Sequence, residues 1–409
     1  MNKPTVIIIG GGAAGFFSAC QLIDLKFTGK IIILEKDKEV LKKVKISGGG
    51  RCNVTHDCFD PRELSKFYPR GEKELYGPFL QFQPKDTIAW FLKNGITLKT
   101  ESDGRIFPDT DSSETIINCF LNICNKNKIE LILNFKVTDI LKTEDKWEIR
   151  SPDKILFADF LLITSGSNIM MWNLVKKLGH TIFTPIPSLF TFKIKDKDLN
   201  DLAGISLPKV NVKINGLKYL SEGPTLITHW GLSGPAILKL SAFAAIDLKE
   251  LNYEFEIFIN WISQSRDNIM VELKRIKVTE SKKKIGNVPI HKIPNRFWIY
   301  ILQNSNISLD QQWANINKQQ MSDLVTQLTQ MSFFVQGKST NKDEFVTAGG
   351  ISLKEINFKN FQSKIHDNLF FAGEILNIDG LTGGFNFQAA WTGAYLASKG
   401  ILTKIKAEY

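Results

Sequence analysis

The sequence predicts an α/β fold with a discontinuous main domain, an inserted β-rich domain and a small helical subdomain. Three observations predict it. A β-branched run, Thr5–Ile9, meets three glycines and then a helix-like stretch. Near the other end a buried-type strand, Leu369–Ala372, is followed by a second glycine turn and a second helix. Between them the texture changes from mixed helix and strand to short alternating strands, and then to a basic helical run.

The helix-like stretch runs from about Ala13 to Phe27, and Ile31–Glu35 reads as the next strand. Strand, glycine turn, helix and strand make a βαβ unit, so the main domain is Rossmann-type. Pro84 stands where a first helical residue would be, and Gly95 ends that helix. Ser113–Lys126 reads as a further helix. Leu131–Leu133, Lys136–Leu141, Trp147–Arg150 and Phe160–Ile163 read as strands. Pro185 and Pro187 punctuate a boundary. Beyond them Leu189–Ile194, Val210–Ile214 and Tyr253–Ile259 are expected strands, and Pro235–Leu248 is an expected helix. Residues 263–331 are mainly helical, and strand returns at Phe333–Val335 and Phe345–Thr347. The expected limits are therefore 1–187 and 345–409 for the Rossmann-type domain. They are 188–262 and 332–344 for the β-rich domain, and 263–331 for the basic helical subdomain.

The chain has 409 residues, 43% hydrophobic and 23% charged, an ordinary globular composition. No apolar run reaches the roughly 18–20 residues of a membrane span, and no targeting segment is visible. These features predict a cytoplasmic protein without a membrane partner. Five cysteines at scattered spacings argue against a disulfide framework. No cluster has metal-ligand spacing, and no metal is expected. The sequence does not specify an oligomeric state.

The net charge is +10, and nine Lys/Arg against three acids fall between Arg266 and Arg296. This segment is either a solvated face or a footprint for a polyanion such as RNA.

The chemistry is carried by four segments. Gly10-x-Gly12-x-x-Gly15 follows a strand and opens a helix, and Glu35 stands twenty residues after Gly15. Such glycines let the backbone approach a pyrophosphate at a helix N-terminus, and the acid accepts ribose hydroxyls. Near the C-terminus Gly373-Glu374, Asp379 and Thr382-Gly383-Gly384-Phe385-Asn386 precede a helix. That pattern resembles the second FAD motif of many flavoproteins, where a helix start stabilises the charge of reduced flavin. Ser47-Gly48-Gly49-Gly50-Arg51-Cys52-Asn53 is a loop that can pass close to a flat ligand. Arg51 suits a phosphate or a substrate. Cys52 is either an acid or redox partner near the flavin, or a buried packing residue. Cys58 follows six residues later, a poor match to the cysteine pair of flavin disulfide reductases. No second GxGxxG lies between 150 and 345, so any NAD(P)H binds transiently or without a Rossmann module. Thr228–Pro235 bends into a helix, and His229 within it is either an acid/base group or a core or capping histidine.

Four blocks carry a resemblance: KISGGGRCNVT at 45–55, THWGLSGPAIL at 228–238, TAGGI at 347–351 and FAGEILNIDGLTGGFNFQAAW at 371–391. Over nearly its whole length the chain resembles the BaiN/YhiN-like bacterial flavoproteins, also called the aminoacetone oxidase family. The resemblance implies a FAD-dependent oxidoreductase. It implies that Ala13, Ala14, Glu35, Lys36, Gly166, the 47–53 loop and the 373–390 segment, including Gln388, line FAD. It also implies a backbone contact from Val137 to adenine. Phe385 stands where Tyr is common in that family, and His56 where Asn is common. The family is linked to small-amine oxidation, to reduction of steroid-like enones, and to reduction of uridine in ribosomal RNA. The basic segment favours the RNA substrate, with small-molecule turnover and a non-enzymatic redox sensor as alternatives.

Overall fold

The computed structural model describes residues 3–339 and 346–408. The re-entry expected near residue 345 falls outside those limits. The chain forms two compact units, Met1–Pro185 with Val346–Tyr409, and Ile186–Phe345.

The first unit is built on a seven-stranded sheet, ordered 356–357, 362–363, 369–371, 160–163, 5–9, 30–34, 130–132. The last five of these run parallel. In the four strands 369–371, 160–163, 5–9 and 30–34 the run of Ile, Val, Leu and Phe is buried, as a sheet covered on both faces requires, while the edge strand 130–132 is only half-buried. The helix after the first strand spans Ala13–Asp24, shorter than its apolar pattern, because Lys26 turns left-handed at φ 65°. It packs against the C-terminal helix Phe385–Glu408, so the two ends of the chain meet. An aromatic cluster of Phe17, Phe82, Trp90, Phe120 and Trp391 fills the core beside them. Two small antiparallel sheets, 55–56/105–108/98–100 and 139–142/147–150/155–158, complete this unit with a two-stranded ribbon of 182–188 and 346–351.

The boundary expected at Pro185 and Pro187 coincides with the division between Pro185 and Ile186, which falls inside the strand Ile182–Ser188. A strand with one neighbour tolerates prolines, which lack only the N–H on its open side. The strand expected at Lys136–Leu141 begins only at Asp139, and Ile155–Ala158 is an additional strand.

The second unit is a closed six-stranded barrel, ordered 191–194, 231–233, 220–228, 206–214, 254–260, 331–339. Helices Arg266–Thr279, Asn295–Asn304 and Lys318–Thr329 share one apolar core with it, from Phe190 to Val335. The helix expected over 235–248 is two helices, Pro235–Phe243 and Ala245–Glu250. Among the described residues no helix is long and apolar enough to cross a membrane.

Candidate cofactor site

The first glycine turn sits at the carboxyl end of strand 5–9, where open parallel sheets bind ligands. Gly10 N–H donates to the Leu34 carbonyl (2.8 Å), docking the turn on the neighbouring strand. Glu35 ends that strand. Its carboxylate accepts from Gly11 N–H at 2.8 Å and Asp37 N–H at 3.0 Å, so its position is fixed by backbone. Gly12 caps the helix without a side-chain bond, and no acid stands in the first turn. The N–H groups of Ala13, Ala14 and Gly15 therefore point out under the positive end of the helix dipole.

A cleft opens beside this turn, lined by Gly10, Glu35, Lys36, Val137, Ser165 and Met170 among others. Ser165 Oγ is buried with no hydrogen-bond partner among the described residues. A buried hydroxyl without a partner costs free energy that a bound nucleotide would recover. Nothing lies within 4 Å of a methyl group placed on Gly12. An open glycine turn, a fixed carboxylate and an orphaned donor in one cleft fit the adenosine diphosphate half of FAD.

The other glycine segments adjoin this turn. A methyl group on Gly373 would lie 3.2 Å from Ala14 Cβ, and Gly166 lies beside Glu374. Glu374 in turn pairs with Lys43. The helix from Lys42 is regular only to Ile46; Gly48, Gly49 and Gly50 then follow at φ 56°, 69° and 86°. With its amide turned to satisfy both ends, Asn53 bridges this loop to the C-terminal turn, its Oδ1 accepting from Gly384 N–H at 3.0 Å. Trp391 Nε1 donates to the Val54 carbonyl (2.9 Å), fixing the last helix to the end of the same loop. The three glycine segments of this unit thus adjoin one another along one wall, whereas Thr228–Pro235 belongs to the second unit.

Several expected side chains are engaged elsewhere. Asp379 is wholly buried in an ion pair with Arg70, so its carboxylate is not presented to a ligand. Gln388 is buried too, and its Oε1 accepts from Thr55 (2.6 Å) and Thr87 (2.9 Å). Phe385 is buried in a stack with Phe67 (4.2 Å) and His56 (4.7 Å). Asn386 clamps Gly380 through both its amide groups. Arg51 pairs with Glu101 (2.6 Å) and Asp111 (3.4 Å) and lies over the Phe107 ring. It anchors the glycine loop to the sheet rather than pointing at a phosphate. These five residues shape the wall through side chains the local sequence does not reveal as internal.

Cys52 is buried, and burial pushes its thiol up to about 12 against a lowering bond to Ser47. It stays protonated at neutral pH but has no solvent face. All five cysteines are free, so Cys52 and Cys58 form no disulfide. His229 lies in the second unit, exposed at a hairpin tip, neither in the core nor capping a helix. Sequence reasoning missed Ser165, Phe135 and Met170 in the cleft wall. The signal for Ser165 was available, since it directly follows the carboxyl end of the parallel strand 160–163.

The basic segment is less open than its charge suggests. Arg266 bonds Thr326 and Ser322, Lys277 the Ile316 carbonyl, and Arg296 the Asp201 carbonyl. Lys283 pairs with Glu280 and Lys284 with Asp310. Lys274, Arg275, Lys282 and Lys292 are exposed, with no such partner among the described residues.

This fold, with its glycine turn, strand-end carboxylate and second glycine segment at the C-terminal helix, is that of a FAD-dependent oxidoreductase. The chain belongs to the HI0933-like family, whose Rossmann-domain model matches residues 4–400. It is 28% identical to the ribosomal RNA dihydrouridine synthase of Haemophilus influenzae, covering 97% of this chain and 98% of that protein. It is 23% identical to the 3-dehydro-bile acid delta(4,6)-reductase of Clostridium scindens, covering 98% of each. The 3-ketosteroid delta1-dehydrogenase of Sterolibacterium denitrificans shares the fold, with a TM-score of 0.53 at 10% identity over 99% of this chain and 100% of that one.

Proposed function

We propose that this enzyme reduces a uridine of ribosomal RNA to dihydrouridine, using FAD held in the wall described above. The N–H groups around Gly12, Ala13 and Ala14 meet the pyrophosphate, with Gly10 and Gly15 shaping the turn. Glu35 accepts the adenosine ribose hydroxyls through lone pairs that Gly11 and Asp37 leave open. The Val137 backbone meets adenine, Lys36 and Ser165 flank it, and Gly166, Gly373 and Glu374 continue toward the flavin. The Gly48–Gly50 loop and the Gly383–Gly384 helix start flank the flavin end.

When bound and reduced, FAD supplies a hydride to one carbon of the uracil C5=C6 bond. Overall, uridine, NAD(P)H and one proton give dihydrouridine and NAD(P)⁺, with NAD(P)H binding transiently. The proton for the second carbon needs an accessible acid. Of the two candidates, Cys52 is protonated but buried beside the glycine loop, and His229 is exposed in the other unit.

The full-length relatives include an RNA-modifying enzyme and a bile-acid reductase, so likeness alone does not choose a substrate. The observation that favours RNA is the set of exposed cations Lys274, Arg275, Lys282 and Lys292, unpaired among the described residues. A small neutral enone or a cationic amine gains nothing from them, whereas RNA phosphates do.

The test is mass spectrometry of nucleosides from ribosomal RNA of cells with and without this gene. Loss of one dihydrouridine is expected. An unchanged profile would move the search to small enones or amines.

A further inference from the structure

The hairpin tip His229–Trp230 is a motif the cofactor wall does not use. Seven of the eight tryptophans are buried, while Trp230 is 45% exposed. A large aromatic ring left in water forfeits burial that the other seven obtain.

The ring is mounted on stiff backbone. Thr228 pairs with Gly231 across the two-residue tip, and Thr228 Oγ1 donates to the Gly231 carbonyl at 3.0 Å. The Trp230 carbonyl accepts from Ile194 N–H at 3.0 Å. Gly231, at φ 137°, lies so close to the Phe192 carbonyl that no side chain fits between them. An uncovered ring on a fixed support is suited to contact with a partner, unlike a ring on a frayed loop.

The tip also lies near the basic segment. Asn200 Nδ2 donates to the Ile194 carbonyl (3.0 Å), and Arg296 to the Asp201 carbonyl (2.6 Å). One short connection, residues 194–201, therefore touches both the tip and the end of the cationic run.

We propose that Trp230 stacks on an unpaired base of an RNA whose phosphates meet the cations of 266–296. This rests on the RNA reading above and adds the device that holds the base. Bases of an unpaired RNA stretch have lost their stacking neighbours, so a protein that binds such a stretch gains by offering a replacement face. An indole provides that face for any base, and imidazole from His229 extends it. A small apolar ligand would also cover an indole, but it leaves the cations of 266–296 without a role.

The test is fluorescence anisotropy of a labelled decauridylate, and of the same oligomer with abasic sugars, against FAD-loaded protein. W230A is expected to weaken decauridylate binding by about fivefold to a hundredfold, and W230F to restore most of it. The abasic oligomer is expected to bind wild type and W230A alike. The salt slope should be unchanged by W230A, because no phosphate contact is removed. Equal binding of decauridylate by wild type and W230A overturns the stack and leaves the RNA reading intact, as does failure of W230F to restore. Absence of salt-dependent binding by wild type defeats the RNA reading itself, and the stack with it.

Discussion

At Gly15 a methyl group would overlap the Gly10 carbonyl and lie 2.8 Å from Thr164 Oγ1, whereas at Gly49 nothing stands within 4 Å of the same point. Both positions belong to glycine-rich segments of one wall. The first is glycine because backbone packs on backbone there. The second is glycine because its φ of 69° suits no other residue well and because the space in front of it is open. The same division runs through the polar residues. Asp379 and Gln388 are closed off by Arg70, Thr55 and Thr87, while Glu35 keeps lone pairs free in the cleft. Residues of one motif thus divide into those that build the wall and those left to meet a ligand.

The largest expected effect probes the builders. Asp379→Asn breaks a buried ion pair and should destabilise the protein by about 3–5 kcal/mol. Urea unfolding checks this. A stable variant with weakened FAD binding would instead make Asp379 a cofactor contact. Gly15→Ala forces a methyl into main chain that cannot withdraw, at a cost toward the upper end of about 1–3 kcal/mol. Retention of the wild-type melting temperature would show that the first turn is looser than the structure has it.

Gly49→Ala is the converse case. Its left-handed backbone costs roughly 1–2 kcal/mol for an L-residue, with no clash. FAD titration should show affinity falling by more than the melting shift accounts for, since the methyl enters the ligand's space. Unchanged affinity would remove the 48–50 loop from the flavin.

The smallest effect concerns pH. His180 is buried between Glu355 (3.0 Å) and Ser363 (3.0 Å), and burial lowers its pKa from 6.5 despite the carboxylate. Below 6.5 the unfolded chain binds a proton that the folded chain resists, so stability falls as pH falls through that window. Melting temperatures from about pH 7.5 to about pH 5.5 should show the decline in wild type and less of it in H180Q. Identical declines would place the titrating group elsewhere.

Much of the cofactor wall was legible because its signals are local. Thr5–Ile9, Gly10–Gly15 and Glu35 declare a βαβ unit within thirty-five residues. What was hidden depends on distant partners. Arg51 reads as a free cation until Glu101 and Asp111 fold beside it. Gln388 reads as a polar residue on a glycine-led helix until Thr55 and Thr87 close over it. Strand 220–228 was missed because Gly223 and Pro224 interrupt its alternation, and the barrel tolerates them at a register shift opposite strand 206–214. The basic run showed its charge in sequence, but not which cations the fold would bind internally.

The most direct measurement is incubation of the purified FAD-loaded enzyme and NAD(P)H with ribosomal RNA from cells lacking the gene, followed by nucleoside mass spectrometry. The account predicts that one uridine gains two hydrogens. An RNA left unchanged while the same enzyme, with NAD(P)H, reduces a small enone would contradict it.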